Sequence, residues 1–522
     1  MPDHDAVVVG SGVNGLACAA LLAKAGWDVC VLERNDWFGG AIKTAEITVP
    51  GYRHDVFSAW HPLWVGGPAH AQLGPDLERH GLEYLNTDFP TATCFPDGTS
   101  AFFLRTADGN AQELGPEWPG VLERFFPNAD LSFGVLGTEL VSRQGAGLAY
   151  KTWRRLGLDG AIAFSGQLLV SARDWLESTF ASERAHGLLA PWVLHTGLGP
   201  DAAASGYMAQ VIAVAVQEGG MPIPRGGGAK LADALVACIR EWGGTCETGV
   251  DVVRVGSKHV ETAGGDRIGA RRAVICNVTP TQLYGSLLEG YERAADGFRY
   301  GRSEMQIHFA LSEPPPWEGD ERLGKAAIVH LTPGLDGVSR AVNEAERGLL
   351  PAEATVVVGQ PLTIDPSRAP DGAGLLWIQL QELPWHVKGD AAGEFDVGDG
   401  TWTESLRERY ADRIQARIAE HMPNLDQAIV GRTVLSPADL QAANVNFVNG
   451  DPYGGALSLD QNFLWRAPHR TPVDRVWNVG ASTHPGPGLG GGSGALVAAQ
   501  LLEPPFFKRV GARFTNQGSG TG

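Results

Sequence analysis

The sequence predicts a mixed α/β fold, because strand and helix patterns alternate at three separate places along the 522 residues. These places are Asp5–Gly40, Met221–Asn277 and Arg475–Leu502. Between them, residues 64–205 and 285–430 combine short strands and helices without a regular alternation. A chain of this length is too long for one simple core, so we expect two intertwined domains.

The first block has the order strand, glycine loop, helix, strand. Ala6–Val9 is a valine-rich apolar run that favours a buried parallel strand. Leu16–Ala25 has helical composition, and Asp28–Leu32 is a second strand. Between the first strand and the helix, three glycines follow the G-x-G-x-x-G spacing, at Gly10, Gly12 and Gly15. This arrangement predicts a dinucleotide-binding unit of Rossmann type.

Each residue of this motif has a separate expected task. Gly10 allows a tight turn, Gly12 lets the backbone approach a pyrophosphate, and Gly15 lets the helix pack closely on the strand. The helix N-terminus adds a partial positive charge for the phosphates. Glu33 follows Gly15 by 18 residues, where its carboxylate can accept hydrogen bonds from a ribose diol.

A second glycine pair favours FAD over NAD as the dinucleotide. An NAD domain normally continues from its second strand into another helix. Here the chain runs instead into Gly39-Gly40, whose backbone N–H groups can face an anion.

With these segments the chain resembles the FAD-dependent oxidoreductases related to phytoene desaturase, retinol saturase and, more distantly, the flavin amine oxidases. The resemblance lies in Val7–Gly40, in PGYRHDVFSAWHPL at Pro50–Leu63, and in WNVGASTHPGPGLGGGSGALVAAQL at Trp477–Leu501. It implies a Rossmann-type FAD-binding domain built from three discontinuous segments, 1–63, 215–284 and 431–510. It also implies an inserted α+β substrate domain, made of residues 64–214 and 285–430.

The motifs and the resemblance together imply a set of cofactor contacts. In the family, the backbone of Val252 faces the adenine, and the glycine-rich loop before the last helix points at the flavin pyrimidine ring. The helix N-terminus there would stabilise the negative charge of the reduced flavin. The expected FAD contacts are Gly10, Gly12, Val13, Asn14, Gly15, Glu33, Arg34, Gly39, Gly40, Ala41, Val252, Asn277, Gly480, Gly492, Ser493 and Ala495.

Three histidines are the candidate catalytic residues. His54, His61 and His484 flank the two segments that the resemblance places beside the flavin. A histidine there could act as a base or hydrogen-bond the backbone of a tight loop. Because the flavin itself takes the hydride, a catalytic base need not exist. The sequence has no metal-spaced set of cysteines and histidines, so no metal is expected.

Two patterns in the second insertion carry structural predictions. Met305, Ile307, Phe309 and Leu311 alternate with Gln306, His308 and Ala310, which predicts a half-buried strand. Thr401–Glu404 resembles a capping box that opens a helix.

The favoured function is dehydrogenation or desaturation of an apolar or partly apolar organic molecule by hydride transfer to FAD. The resemblance suggests carotenoid or other isoprenoid substrates. One alternative is oxidation of an amine C–N bond, as in the flavin amine oxidases. An alternative of another class is a scaffold protein that keeps FAD as a structural cofactor. No second nucleotide-binding unit is visible, so oxygen, a quinone or another acceptor is expected to reoxidise the flavin.

Composition and charge limit the classes of binding partner and the cellular location that we expect. The formal net charge of −18 disfavours nucleic acid and anionic lipid. The six cysteines form no CxxC pair, and no signal peptide or transmembrane run is found, so a cytoplasmic location is expected. Phe506–Arg509 could make a peripheral membrane contact, although packing at a helix end is favoured. Residues 511–522 are expected to be disordered.

Overall fold

The computed structural model describes residues 3–503. The Phe506–Arg509 segment, which is a candidate membrane contact, lies outside the described residues, as does the tail 511–522, which is predicted to be disordered. Within residues 3–503, two seven-stranded sheets and the helices packed on them confirm the predicted mixed α/β class.

The strands of the described chain have seven or fewer residues, except for three that have nine or ten, Arg267–Cys276, Ser303–Leu311 and Gly374–Leu383. In chain order they are β1 Asp3–Val9, β2 Val29–Leu32, β3 Thr44–Ala45, β4 His54–Asp55, β5 Tyr84–Leu85, β6 Thr91–Cys94, β7 Ser100–Phe103, β8 Ile223–Pro224, β9 Thr245–Glu247, β10 Val252–Gly256, β11 His259–Thr262, β12 Arg267–Cys276, β13 Ser303–Leu311, β14 Ile328–Leu331, β15 Leu349–Leu350, β16 Val356–Gly359, β17 Gly374–Leu383, β18 Gly389–Asp390, β19 Ile429–Leu435 and β20 Val476–Asn478.

The α-helices lie mainly in the first half of the chain. They are α1 Val13–Lys24, α2 Pro62–Val65, α3 Pro68–Arg79, α4 Ala107–Leu114, α5 Trp118–Phe125, α6 Ala129–Gly137, α7 Arg143–Gln167, α8 Ala172–Thr179, α9 Glu183–Leu189, α10 Ser205–Gly219, α11 Ala229–Glu241, α12 Pro280–Gln282, α13 Leu335–Glu346, α14 Glu404–Ala419, α15 Leu425–Ala428, α16 Pro437–Ala443 and α17 Gly492–Leu502.

The first sheet combines the three blocks that the sequence pattern singled out. Its strand order is β10-β11-β12-β1-β2-β9, and β20 also pairs with β12. The pairings of β1 with β12 and β2, of β2 with β9, and of β12 with β20 are parallel. Helices α1, α11 and α17 cover one face with alanine and leucine side chains. Parallel strands covered in this way are the Rossmann arrangement that the glycine motif predicts.

The second sheet has the order β19-β13-β17-β16-β14-β6-β7. The predicted strand in the second insertion is confirmed as β13, but the expectation that it is half-buried is wrong. All nine residues of β13 are buried, because β17 and β19 pair with its two edges and both of its faces are covered. The polar residues of β13 therefore lie inside the protein rather than in solvent.

Helix α14 begins two residues later than the Thr401–Glu404 pattern predicts. Helix α14 is capped by Thr403, whose side-chain oxygen accepts a hydrogen bond from the Leu406 N–H. Thr401 instead donates its hydroxyl to Asp399 at 2.7 Å in the preceding turn. The threonine pair made either position plausible from sequence, and the turn at Asp399 determines which of the two caps the helix.

Candidate functional site

The glycine motif forms a close-packed corner between β1, α1 and the end of β12. Gly10 has a φ of +91°, which is the left-handed turn that the motif predicts. A Cβ atom at Gly15 would lie 2.5 Å from the Gly10 carbonyl oxygen, and one at Gly12 would lie 2.3 Å from Nδ2 of Asn277. The two glycines thus permit close approach of the chain to itself and to the side chain of Asn277.

Glu33 is held in a fixed orientation at the end of β2. Its Oε2 atom accepts hydrogen bonds from the Ser11 N–H at 2.9 Å and the Ser11 hydroxyl at 2.7 Å. Its Oε1 atom accepts one from the Asn35 N–H at 2.9 Å. The carboxylate is buried but lines a large cavity, so the remaining lone pair of Oε1 can receive a further donor.

A single continuous cavity of about 1170 Å³ begins at this corner and extends into the space beside the second sheet. Most of the sequence-predicted cofactor residues line it. These are Gly10, Gly12, Val13, Asn14, Glu33, Arg34, Gly39, Gly40, Ala41, Val252, Asn277, Gly480, Gly492 and Ser493. Gly15 and Ala495 do not line the cavity; Gly15 packs α1 on the strand corner, and Ala495 is buried in the core beside α1.

The start of α17 meets the cavity through Ser493. The Ser493 hydroxyl oxygen accepts a hydrogen bond from the Gly480 N–H at 3.0 Å and lies 2.7 Å from the Thr483 hydroxyl. It also lies 3.2 Å from Nε2 of His469, whose Nδ1 contacts the Glu139 carboxylate. Burial opposes ionisation of Glu139, but the hydrogen bond and the charge of His469, with a smaller contribution from His484, together lower the pKa of this carboxyl.

Sequence reasoning missed His469 and Glu139. Glu139 lies in the first insertion, more than 300 residues from its partner, so no local motif connects the two. Together with Ser493 they form a hydrogen-bonded chain from the cavity wall to a partly exposed carboxylate.

None of the three candidate catalytic histidines lines the cavity. His54 lies 2.8 Å from the Thr48 hydroxyl, and His61 lies 3.0 Å from the Tyr84 hydroxyl. Burial lowers the pKa of His54 to about 3 and that of His61 and His484 to about 4. All three imidazoles are therefore neutral at pH 7, and their residues lie behind the cavity wall.

A buried ion cluster fixes the segments around His54 and His61. The Arg368 guanidinium contacts the Asp55 carboxylate and donates to Asp365 at 3.0 Å. Asp55 also accepts a hydrogen bond from the Gly228 N–H at 2.7 Å, and Asp365 accepts one from the Gly226 N–H at 2.6 Å. The glycine loop before α11 is thus held by the carboxylates of Asp55 and Asp365.

The far part of the cavity has two kinds of wall. One wall is apolar and comes from the first insertion, with Phe126, Phe133, Leu136, Trp192, Met208, Val211 and Ile212. The other is the polar face of β13 and β17, with Glu304, Gln306, Gln379 and Gln381, beside Tyr453. The sequence did carry a signal for this second wall, since Gln379 and Gln381 alternate with apolar residues as Glu304 and Gln306 do.

The described part of the chain has no group of side chains arranged for metal binding and no disulfide. Within residues 3–503, no group of three or more His, Cys, Asp or Glu side chains is placed to hold a metal ion. The six cysteines are buried and unpaired, and burial raises the pKa of the Cys18 and Cys276 thiols to about 12. Among the same residues, no helix is both long and apolar enough to cross a bilayer.

Comparisons with known proteins agree with this geometry. A family model for an NAD(P)-binding Rossmann-like domain matches residues 8–73. The pyridine nucleotide-disulfide oxidoreductase domain-containing protein 2 of Rattus norvegicus is 24% identical, over 95% of this chain and 93% of the relative. The zeta-carotene-forming phytoene desaturase of Myxococcus xanthus is 26% identical, over 95% and 92%. The structure of putrescine oxidase bound to putrescine superimposes with a TM-score of 0.59 at 17% identity, covering 96% of this chain and 99% of that one.

The fold and the glycine-lined cavity define a Rossmann-type oxidoreductase. Over nearly its whole length the chain is similar to phytoene and carotenoid desaturases, and the resemblance predicted from its end segments is confirmed.

Proposed function

We propose that the protein binds FAD and dehydrogenates or desaturates an apolar or partly apolar organic molecule, of isoprenoid type. The observation that carries this proposal is the single cavity, which joins the dinucleotide corner to an apolar chamber. Its volume of about 1170 Å³ exceeds the roughly 300–1,000 Å³ of ordinary ligand pockets, which suits a large cofactor with a substrate beside it.

The residues at the corner fit an extended dinucleotide. Gly10 to Asn14 would receive the pyrophosphate, Glu33 would accept from the ribose hydroxyls, and Val252 would lie along the adenine. The start of α17, with Ser493, would lie at the flavin ring and supply a partial positive charge. When bound, the flavin takes a hydride from the substrate, and the chain positions both and excludes water.

The domain division is part of the same proposal. The first sheet would be the core of the FAD-binding domain and the second sheet the core of the substrate domain. Strand β19, at Ile429–Leu435, pairs with β13 in the second sheet. We therefore place the last boundary after Leu435 and not at residue 431. The cytoplasmic location stays a prediction from the cysteine usage.

The visible spectrum of the purified protein tests the cofactor, and anaerobic titration with isoprenoids, amines and NADPH tests the reaction. We expect a flavin spectrum that an isoprenoid substrate bleaches. Bleaching by amines alone would favour C–N oxidation, and a flavin bleached by no substrate would favour the scaffold alternative. A colourless protein without extractable FAD would contradict the proposal.

Replacing Glu33 by alanine should weaken FAD retention by about 10- to 100-fold, because hydrogen bonds to a charged acceptor contribute roughly 1.5–3 kcal/mol. The measurement is the dissociation constant of FAD, from flavin fluorescence during reconstitution of the apoprotein. Glu247→Ala is the matched control, because this exposed carboxylate lies on neighbouring β9 and does not line the cavity. Equal FAD affinity in both variants would refute the ribose contact, and Glu33→Gln checks that loop folding is not the cause.

A further inference from the structure

The polar wall of the cavity consists of glutamate and glutamine side chains on two adjacent strands. Glu304 and Gln306 are two residues apart on β13 and share one face. Gln379 of β17 lies opposite Gln306 in the antiparallel register, and Gln381 follows it on the same face. Side chains paired in this way have their Cβ atoms about 5 Å apart. We call these four residues the polar strip.

Three oxygens of the polar strip accept no hydrogen bond within the described residues. They are Oε1 of Glu304, Oε1 of Gln306 and Oε1 of Gln381, and their residues are 3%, 2% and 1% exposed. Other polar side-chain atoms of the strip do form hydrogen bonds. Gln379 donates to Oε2 of Glu304 at 2.7 Å, and Gln381 donates to the Tyr453 hydroxyl at 2.8 Å. These bonds fix the orientations of two amides in residues that line the cavity, and they leave the three buried oxygens without a donor.

Glu304 also forms no ion pair among the described residues, although it is buried. The nearby guanidinium of Arg302 donates to the carbonyls of Gly197 and Leu198 and pairs with Glu346 instead. Buried acceptors without donors are rare in folded proteins, because each loses its bonds to water. A hydrocarbon filling the cavity would leave all three oxygens unbonded.

We propose that the polar strip binds the hydrogen-bond-donating head group, a hydroxyl or an amine, of an otherwise apolar substrate. The inference rests on the proposed function, since it names the substrate class of the same cavity. The apolar wall, with Trp192, Met208 and Val211, receives the hydrocarbon part, and the strip orients the molecule by its polar end. Within the proposed substrate class, this assignment favours molecules with a donor group over purely hydrocarbon ones.

The two kinds of head group differ in their dependence on pH. Burial raises the pKa of Glu304 to about 7, Tyr453 and Gln379 lower it by less, and the nearby Asp451 raises it further. Asp451 itself is saturated by the N–H groups of Gly301, Tyr453 and Gly455. Above pH 7 the ionised Glu304 carboxylate attracts an ammonium ion, so amine affinity rises from about pH 6 to about pH 8, whereas alcohol affinity does not.

Calorimetric titration of the flavin-loaded protein with n-octane, n-octanol and n-octylamine tests the assignment. We expect at least one of the two polar ligands to bind about tenfold or more tightly than octane. The double variant Glu304→Leu/Gln306→Leu should abolish that preference while still binding octane. Glu382→Gln is the control, because this glutamate of β17 is buried against Thr355 and does not line the cavity.

Each outcome decides the question. Tighter binding of octylamine that rises with pH and is lost in Glu304→Gln supports an amine head group. Tighter binding of octanol, independent of pH, supports a hydroxyl. Equal affinity for all three ligands, or an unchanged preference in the double variant, overturns the proposal. The flavin spectrum is recorded on the same samples, so failure of the cofactor proposal would be seen separately.

Discussion

Replacing Arg368 by methionine is expected to destabilise the protein by about 3–5 kcal/mol, or to prevent its accumulation in soluble form. Arg368 is completely buried and is bonded to Asp55, to Asp365 and to the Pro224 carbonyl at 2.8 Å. Burial opposes its charge, but the two carboxylates outweigh this and raise the pKa of the guanidinium. Removing the cation leaves two buried carboxylates without their counter-ion.

Thermal unfolding of the variant beside the wild type measures this effect. Arg299→Met is the control, because the ion pair of Arg299 with Asp460 is largely exposed and should contribute at most about 1 kcal/mol. If both variants unfold at the wild-type temperature, the cluster does not hold the glycine loop.

The pKa of Asp365 is lowered in the folded state despite burial, through Ser367, Gly226 and Arg368. Its contribution is therefore present above its ordinary pKa and decreases below about pH 4.

Replacing Gly494 by alanine is expected to cost about 1–3 kcal/mol or more and to lower FAD retention at the same time. A Cβ atom at this position would lie 2.0 Å from the Asn14 carbonyl oxygen and 3.1 Å from the Cys18 backbone nitrogen. Both atoms belong to the backbone of α1, so no side chain can rotate away. Helix α17 would have to move off α1, and Asn14 and Ser493 line the same cavity.

The measurements are the unfolding temperature and the FAD content of the purified variant. Gly147→Ala provides the contrast, because this glycine lies inside α7 with no atom within 4 Å of a new Cβ. There the substitution should stabilise the helix by roughly 0.5–1 kcal/mol. Wild-type stability and full FAD content in Gly494→Ala would contradict the close helix contact.

The corner of the first sheet could be predicted from sequence because its chemistry is local. Gly10, Gly12, Gly15 and Glu33 lie within one strand–helix–strand unit, and their spacing alone indicates what they do. The burial of β13 could not be predicted in the same way. It depends on β17 and β19, which the chain supplies far downstream, so an alternating pattern that normally indicates a solvent face here indicates a cavity wall.

The ion cluster and the Ser493 chain were missed for a related reason. Asp55 and Arg368 are 313 residues apart in sequence, and no spacing rule connects an aspartate and an arginine across such a distance. The histidines near the motifs are plausible bases by sequence position, yet His61 and His484 do not line the cavity. Proximity to a motif therefore identified residues that line the cavity, but it did not distinguish lining histidines from histidines packed behind the wall.

Strand β12 has a consequence for the order in which the protein can be completed during synthesis. It pairs with β1 from the start of the chain and with β20, the last strand of the described residues. The parallel sheet and the packing of α17 on α1 can therefore be completed only after residues 476–502 have left the ribosome. Such long-range closure slows folding and leaves apolar edges exposed in the nascent chain. Until β20 and α17 have been synthesised, the nascent chain should therefore depend on chaperones, and cofactor capture would come last.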